Sequence, residues 1–309
     1  MNSPNIFKNK RKQQTKISSL FYKRKKTSSS RSSPSKVSAK SDVVNTDGHT
    51  PLQPLPSFYP AIRCRSAEDV QKAIEYLHKN MFDKQQVFTK QADTLVVACP
   101  AVVVESQLSG LFQNDFTTVS QNLSLLLKKG SLKKLYIKRS DNFPGEACLI
   151  KTSTFEGYLD KIAQTLVEDE EKKVIQSFQE ASKEFQGCTF PIQNLPFSDQ
   201  ERRILIKLGL LILAGPSTYG VSLPTIGVFT QMLQYSRQDI VRYLKKRPYG
   251  EALECDIVQR NTTASFKGKN TPTFSWEFRI CDAIGCGIVD AFMTNCGKAL
   301  RLTQKGRSF

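Results

Sequence analysis

Cysteine and histidine are the side chains in this sequence best suited to metal binding or nucleophilic catalysis. The eight cysteines are scattered, and only Cys281, Cys286 and Cys296 lie near one another in the chain. No Cys-x-x-Cys pair of the kind that structural zinc sites prefer is present. The two histidines, His49 and His78, stand in poor contexts for a histidine-based triad. We therefore expect structural thiols, no metal and no cofactor.

Phosphoryl transfer would need a glycine-rich loop to cradle the phosphates and acidic residues to hold the metal. The sequence has no Gly-x-x-x-x-Gly-Lys loop and no His-Arg-Asp segment. Asp115 and Phe116 are followed by Thr117, so the Asp-Phe-Gly motif of protein kinases is also missing. These absences predict that the protein is not an enzyme.

Lysine and arginine are better organised than any of these groups. The net charge is +17 over 309 residues. Residues 1–58 contain twelve Lys or Arg against Asp42 and Asp47, so they carry about +10, and the remainder carries +7. Basic charge on both parts favours a polyanionic partner, because each phosphate neutralised releases condensed counterions. Nucleic acid is the leading candidate, ahead of an acidic protein surface or an anionic membrane.

The first 58 residues are rich in Ser, Lys, Arg and Pro, and their composition predicts disorder. Two basic clusters within them have the spacing of a bipartite nuclear-import signal. The clusters are Lys8, Lys10, Arg11 and Lys12, then Lys23, Arg24, Lys25 and Lys26. The alternative is a solvated charge run that only helps to hold DNA. No apolar run approaches the roughly 20 residues of a membrane-spanning helix. We expect a nuclear protein without a membrane partner.

The elements that would position the remaining cations begin at Ser66, which resembles a helix cap with Asp69. Helical periodicity predicts helices over about 66–82, 94–112 and 117–129. Gly130 ends the third helix, and strand-like runs follow at 132–138 and 147–151. Three helices followed by a hairpin is the order of a winged helix.

This order recurs twice further along the chain. The second pass has helices at 174–185 and 198–208 and strands at 210–214 and 220–223. The third has helices at 226–246 and 276–288, a polar insertion at 261–273 and a hairpin that turns at 295–297. A helical protein with occasional hairpins is the alternative, since no clean sequence repeat is present.

The predicted fold class is α+β, mainly α with small β-hairpins, in three tandem winged-helix domains behind a disordered tail. The predicted domains are 59–165, 166–225 and 226–309, and the tail is 1–58.

Basic side chains on these domains are candidate contacts to DNA phosphates. The candidates are Lys128, Lys129, Lys133 and Lys134 in the first domain, Arg202 and Arg203 in the second, and Arg237, Arg242, Lys245 and Lys246 in the third. An ordinary solvated helix face is the alternative for each patch. The polar helix Thr117 to Ser124 could instead enter the major groove, which would make the protein a sequence-specific transcription factor.

The C-terminal segment carries a family resemblance. Residues 282–290, Asp-Ala-Ile-Gly-Cys-Gly-Ile-Val-Asp, with 294–297 and 299–302, resemble the closing motif of the serine/threonine-protein kinase nineteen family. Weaker similarity lies upstream at Phe229, Arg237-Gln238, 249–253 and 119–134, so that the resemblance covers about residues 66–309.

The resemblance implies three tandem winged helices that bind double-stranded DNA. It also implies an adaptor in transcription-coupled nucleotide excision repair, between stalled RNA polymerase II, the Cockayne-syndrome recognition factors and TFIIH. Lys245 and Arg260 match DNA-contacting positions of the family, whereas Gln231 and the insertion 261–273 depart from its pattern. The family name leaves an atypical protein kinase as an alternative.

Overall fold

A computed structural model describes residues 64–82, 98–112, 116–138, 145–263 and 273–309, with backbone alone at 260–263. The predicted tail, its import signal and most of the polar insertion lie outside the described residues. Ser66 and Asp69 form the predicted capping box, because the Asp69 amide donates to Ser66 Oγ and the Ser66 amide donates to Asp69 Oδ2. The first described helix therefore begins where its sequence specifies.

The first group of elements has the predicted helices and hairpin, but the strand Val103–Val104 interrupts the predicted helix 94–112. It comprises α1 (Ala67–Lys79), β1 (Val103–Val104), α2 (Glu105–Leu111), α3 (Phe116–Lys128), β2 (Leu132–Ile137), β3 (Glu146–Lys151) and α4 (Thr152–Thr165). Gly130 adopts a φ of +70°, which lets the chain leave α3 and enter β2 at once. Helix α4 was not predicted from the sequence.

The rest of the chain forms two further groups. The second comprises α5 (Asp169–Lys183), β4 (Thr189–Pro191), a 3₁₀ turn (Ile192–Asn194), α6 (Asp199–Lys207), β5 (Leu211–Gly215) and β6 (Thr218–Val221). The third comprises α7 (Ile226–Lys245), a 3₁₀ turn (Pro248–Gly250), β7 (Glu251–Leu253), α8 (Glu254–Thr263), α9 (Trp276–Gly285), β8 (Val289–Thr294), β9 (Gly297–Leu302) and α10 (Gln304–Ser308).

The described strands form three antiparallel sheets of three strands each, with the same internal order. The orders are β1-β3-β2, β4-β6-β5 and β7-β9-β8. In each sheet a hairpin supplies two strands, and an earlier strand of two or three residues pairs with the hairpin's second strand. The prediction of an α+β fold with small hairpins is confirmed. The short strands were missed because two or three residues carry no measurable alternation.

Helices α2 and α9 cross at glycines, although they are far apart in the sequence. A Cβ on Gly110 would lie 2.5 Å from the Cys281 carbonyl oxygen, and one on Gly285 would lie 1.9 Å from the Ser106 carbonyl oxygen. Beside this crossing, the buried Gln107 donates to the Phe278 carbonyl oxygen at 3.1 Å. The first and third groups of elements are therefore joined by backbone-to-backbone packing, which only glycine permits.

Helix α1 carries a half-buried histidine, His78. Its Nε2 is buried and has no hydrogen-bond partner within the described part of the chain. Burial lowers the pKa of His78 from 6.5 to about 4, and Lys151 adds to the effect. The folded protein therefore favours the neutral imidazole.

We expect this histidine to make the fold acid-sensitive. Between pH values of about 6.5 and 4 the unfolded chain binds the proton and the folded chain does not, so stability falls as pH falls through this window. From about pH 7 to about pH 5, the loss is on the order of 2 kcal/mol for this group. Urea unfolding at both pH values should give a smaller loss for His78→Leu than for the parent. An equal loss in both proteins would refute this role.

Candidate nucleic-acid interface

Helix α7 has one face in the core and one in solvent. Its apolar residues recur at helical spacing and are buried, among them Phe229, Met232, Leu233, Ile240 and Leu244. The opposite face exposes Gln231, Tyr235, Arg242 and Lys245. Asp239 is the acid of this helix and pairs with Arg279 at 2.8 Å. The solvent face of α7 thus becomes cationic toward its C-terminus.

Further cations continue this face beyond the helix. Lys246 and Arg247 follow α7 directly, and both are exposed. The Arg247 guanidinium lies 4.7 Å from the Tyr243 ring centroid, and its Nη2 donates to the Tyr243 hydroxyl at 2.6 Å. Tyr243 therefore holds this guanidinium in one orientation at the helix end.

The C-terminal helix α10 brings one more arginine to the same place. Arg307 is exposed, and its Nη2 donates to the Tyr249 carbonyl oxygen at 3.3 Å. Lys305 donates to the Cys286 carbonyl oxygen at 2.6 Å, at the C-terminal end of α9. We call Arg242, Lys245, Lys246, Arg247 and Arg307 the basic end. Sequence reasoning missed Arg307, although Lys305 and Arg307 form a visible basic pair near the chain's end.

Three other predicted DNA contacts are exposed but lie on different helices. Lys128 and Lys129 stand at the end of α3, and Arg203 stands on α6. Helix α3 also exposes Thr117, Ser120, Gln121 and Ser124, the polar side chains that were considered for the major groove. These residues stay candidate contacts, separate from the basic end.

Arg237 corrects the sequence prediction most clearly. Its side chain is 1% exposed. Nε and Nη2 each donate to Asp282 at 2.6 Å, and Nη1 and Nη2 donate to Glu146 at 2.8 Å. Both carboxylates therefore engage the guanidinium inside the protein. The prediction that Arg237 contacts DNA is wrong, because a buried and doubly paired arginine cannot reach a phosphate.

Lys133 and Lys134 are also held by the protein itself. Lys133 is buried and its Nζ donates to the carbonyl oxygens of Ser182 and Lys183, while burial lowers its pKa. Lys134 Nζ lies 2.9 Å from both Glu105 carboxylate oxygens. The predicted phosphate contact of Lys133 is therefore wrong, and the charge of Lys134 is already neutralised.

Arg202 is likewise paired, with the Asp199 carboxylate and the Phe197 carbonyl oxygen, and its side chain is mostly buried. It ties the start of α6 to the preceding segment, which argues against the predicted phosphate contact. Arg260 belongs to α8, but its side chain lies outside the described residues, as do the import residues from Lys8 to Lys26.

Two of the three clustered cysteines lie in the core. Cys281 and Cys286 are buried, whereas Cys296 is exposed. Burial raises the pKa of Cys286 to about 12, which disfavours the thiolate that a metal would need. Within the described ranges no three His, Cys, Asp or Glu side chains come together in a metal-binding arrangement. No helix of those ranges is long and apolar enough to cross a membrane.

The chain is similar in sequence to a protein family and to two known proteins. A family model described as "Inactive serine-threonine protein kinase 19" matches residues 78–302. "Serine/threonine-protein kinase mug51" of Schizosaccharomyces pombe is 41% identical over 308 residues, which cover 96% of each chain. "Winged helix repair factor 1" of Xenopus laevis is 26% identical over 276 residues, or 84% of this chain and 90% of the relative.

These names correct the prediction that the protein is not an enzyme. The Schizosaccharomyces pombe relative carries the name of a serine/threonine-protein kinase, and the family model also carries it, with the qualifier inactive. Missing sequence motifs do not outweigh this, so the prediction is withdrawn. The match over 78–302, and the 41% identity across nearly the full length of both chains, show that the chain belongs to the family described as inactive serine-threonine protein kinase 19.

Proposed function

We propose that the protein is a nuclear winged-helix repair factor that holds duplex DNA through the phosphate contacts of its basic end. The observation that carries the proposal is the convergence of Arg242, Lys245, Lys246, Arg247 and Arg307 at one end of α7. The name of the Xenopus laevis relative supports a role in repair. The bipartite basic clusters of residues 8–26 support the nucleus.

The order of elements supports three winged-helix units, over 59–165, 166–225 and 226–309. In the third group the order is α7, β7, α8, α9, β8, β9, with the short strand β7 beside the hairpin. The first group has the same sheet order around α2 and α3. A shared arrangement without a sequence repeat is what tandem units of one fold would give after their sequences diverged.

The position of α9 decides how the third unit would bind. The last helix before the hairpin is the one that enters the major groove in helix-turn-helix proteins. Here α9 packs against α2 and α7, and Phe278, Ile280 and Asp282 are buried. Base readout through α9 is therefore blocked, and the exposed cations of the basic end favour phosphate contact with little sequence preference.

More specifically, we propose that the protein acts as an adaptor in transcription-coupled nucleotide excision repair. DNA would lie on the basic end, and other faces would bind RNA polymerase II, the Cockayne-syndrome factors and TFIIH. Affinity purification from nuclear extract before and after DNA damage tests these partners. Recovery of the polymerase and TFIIH would support the adaptor.

Charge reversal of the basic end tests the DNA proposal. For Arg242→Glu, Lys245→Glu and Lys246→Glu combined, we expect duplex affinity to fall roughly tenfold or more at low salt, equally for unrelated sequences. The slope of log K against log salt should lose about one unit for each phosphate contact removed. Fluorescence polarisation of labelled duplexes measures both quantities.

A control variant reverses one exposed lysine outside the basic end. Lys173 is exposed on α5 beside the acidic residues 168–171, so Lys173→Glu changes the charge there without touching the basic end. We expect its affinity and salt slope to equal those of the parent. If the triple variant also keeps both values, the basic end does not bind DNA. Strong enrichment of one motif in a random-duplex selection would instead favour a transcription factor that reads DNA through α3.

Phosphoryl transfer is the second candidate function, because the Schizosaccharomyces pombe relative is named as a kinase. Transfer of radiolabelled phosphate from ATP, by protein that keeps this activity through several purification steps, would support it. Loss of the activity during purification would count against it.

A further inference from the structure

Tyr249 is the most exposed aromatic side chain of the described residues. It is 86% exposed, in the 3₁₀ turn between Pro248 and Gly250 that follows α7. A side chain this exposed buries almost no apolar surface in the fold. Tyr249 therefore contributes little to stability through its ring.

The backbone of Tyr249 is strained. Its φ is +58° and its ψ is 4°, and no other non-glycine residue in the described ranges has a positive φ. This conformation costs on the order of 1 kcal/mol for a residue with a Cβ. Glycine or asparagine would adopt it with less strain, so the turn itself does not call for tyrosine.

Neighbouring contacts hold the turn in place. The Gly250 amide donates to the Arg247 carbonyl oxygen at 3.1 Å, and Arg307 donates to the Tyr249 carbonyl oxygen at 3.3 Å. Two arginines of the basic end thus fix the backbone on either side of the ring. An aromatic side chain is presented to solvent from a pinned turn, among cations.

An exposed aromatic ring among cations is an arrangement suited to binding unpaired nucleotides. Proteins that bind unpaired nucleotides place aromatic rings beside cationic grooves, so that a base stacks on the ring while the cations contact the backbone. Intact duplex offers phosphates to the cations, but its bases are already stacked on one another. A ring that projects from a basic surface therefore fits DNA in which at least one base is unpaired.

We propose that Tyr249 is a stacking platform for an unpaired base, so that the basic end binds a junction between duplex and single-stranded DNA more tightly than duplex. This inference rests on the proposed DNA-binding function. The cations of the basic end contact the phosphates of the duplex arm, and the Tyr249 ring stacks on the first unpaired base. The hydroxyl of Tyr249 has no part in it.

The test compares a forked DNA with a fully paired DNA of the same duplex length. The parent should prefer the fork. Tyr249→Asn keeps a residue that tolerates the left-handed turn but removes the ring, and it should lose roughly 5- to 100-fold of fork affinity. Its duplex affinity should change less than about twofold. Tyr249→Phe should behave as the parent on both DNAs.

A 2-aminopurine at the first unpaired position gives a direct readout. Its fluorescence should fall when the parent or Tyr249→Phe binds, and it should stay high with Tyr249→Asn. Melting of Tyr249→Asn without DNA should occur at the same temperature as the parent or higher, because strain is relieved. A lower melting temperature would show that the ring stabilises the fold and would overturn its assignment as a platform.

The remaining outcomes are distinct. If the parent binds duplex and fork equally, or Tyr249→Asn keeps the fork preference, the stacking proposal fails and the DNA-binding function stands. If Tyr249→Phe loses fork affinity as Tyr249→Asn does, the hydroxyl is responsible and stacking is refuted. If the parent binds neither DNA, the proposed function fails and this inference fails with it.

Discussion

Replacing Arg237 with alanine is expected to lower the free energy of unfolding by about 3–5 kcal/mol. The guanidinium is buried between Asp282, whose side chain is 1% exposed, and Glu146, whose side chain is 19% exposed. Its removal would take the Arg237 charge away from two carboxylates, one of them almost fully out of water. For a domain of this size the melting temperature should fall by roughly 6–20 °C, measurable by circular dichroism.

A compensating variant separates the lost ion pair from lost packing. Arg237→Met combined with Asp282→Leu and Glu146→Gln removes all three charges while keeping most of the volume. Buried ionic groups can be replaced by apolar ones at little net cost, so this triple variant should recover most of the stability. If the triple variant recovers almost none of the stability, the destabilisation by Arg237→Ala comes from lost packing alone.

DNA binding by Arg237→Ala tests whether Arg237 contacts DNA. Below its lowered melting temperature, Arg237→Ala should bind duplex as the parent does, since Arg237 lies inside the protein. A variant that keeps its melting temperature but loses DNA affinity would contradict the buried ion pair and restore the sequence prediction.

The helical periodicity around Arg237 already indicated that its side chain is buried. Leu233, Ile240, Val241 and Leu244 stand at i−4, i+3, i+4 and i+7 from it, and all four are buried. An arginine on such a face needs a carboxylate partner inside the protein. Counting cations along the helix ignored which face each one occupied, and so it placed Arg237 with Arg242 and Lys245.

The alternation of residues along β2 likewise indicated that Lys133 is buried. Residues 133, 135 and 137 share one face of β2, and Leu135 and Ile137 on that face are buried. Most of the helices and the hairpins were predictable, because caps, glycine turns and apolar periodicity act locally. What covers Lys133, the carbonyl groups of Ser182 and Lys183, comes from a helix about 50 residues away in sequence. Local patterns cannot supply such a contact.

The basic end was predicted only in part for the same reason. Arg242, Lys245 and Lys246 are neighbours in sequence, in the last turn of α7 and directly after it. Arg307 joins them through a contact with Tyr249 across 58 residues, and this depends on the docking of α10. The exposure of Tyr249 likewise follows from its strained turn, which composition and periodicity do not encode.

Gly285→Ala is expected to destabilise the protein by about 3 kcal/mol or more, because the new methyl group overpacks the crossing of α2 and α9. Its Cβ would lie 1.9 Å from the Ser106 carbonyl oxygen and 2.6 Å from the Ser106 carbonyl carbon. Both are backbone atoms, which cannot rotate away as a side chain would. The two helices must therefore separate, and the buried Gln107 bond to Phe278 beside them would be strained as well.

Gly157→Ala is the matched control, with the opposite sign. Gly157 lies within α4, and a Cβ there would meet nothing within 4 Å. Alanine has the higher helix propensity, so this variant should gain roughly 0.5–1 kcal/mol. Urea unfolding of both variants compares one chemical change in two surroundings. Equal effects at the two sites would show that α2 and α9 do not cross at Gly285.

A second glycine makes the test of the crossing quantitative. A Cβ on Gly110 would lie 2.5 Å from the Cys281 carbonyl oxygen, on the same pair of helices. Once Gly285→Ala has separated the helices, Gly110→Ala should add less than its cost in the parent, because the space it needs is already open. A double variant that loses less than the sum of the two single losses would establish one shared interface. Full additivity would mean that the two glycines relieve independent contacts, and that α2 and α9 are not held by a single crossing.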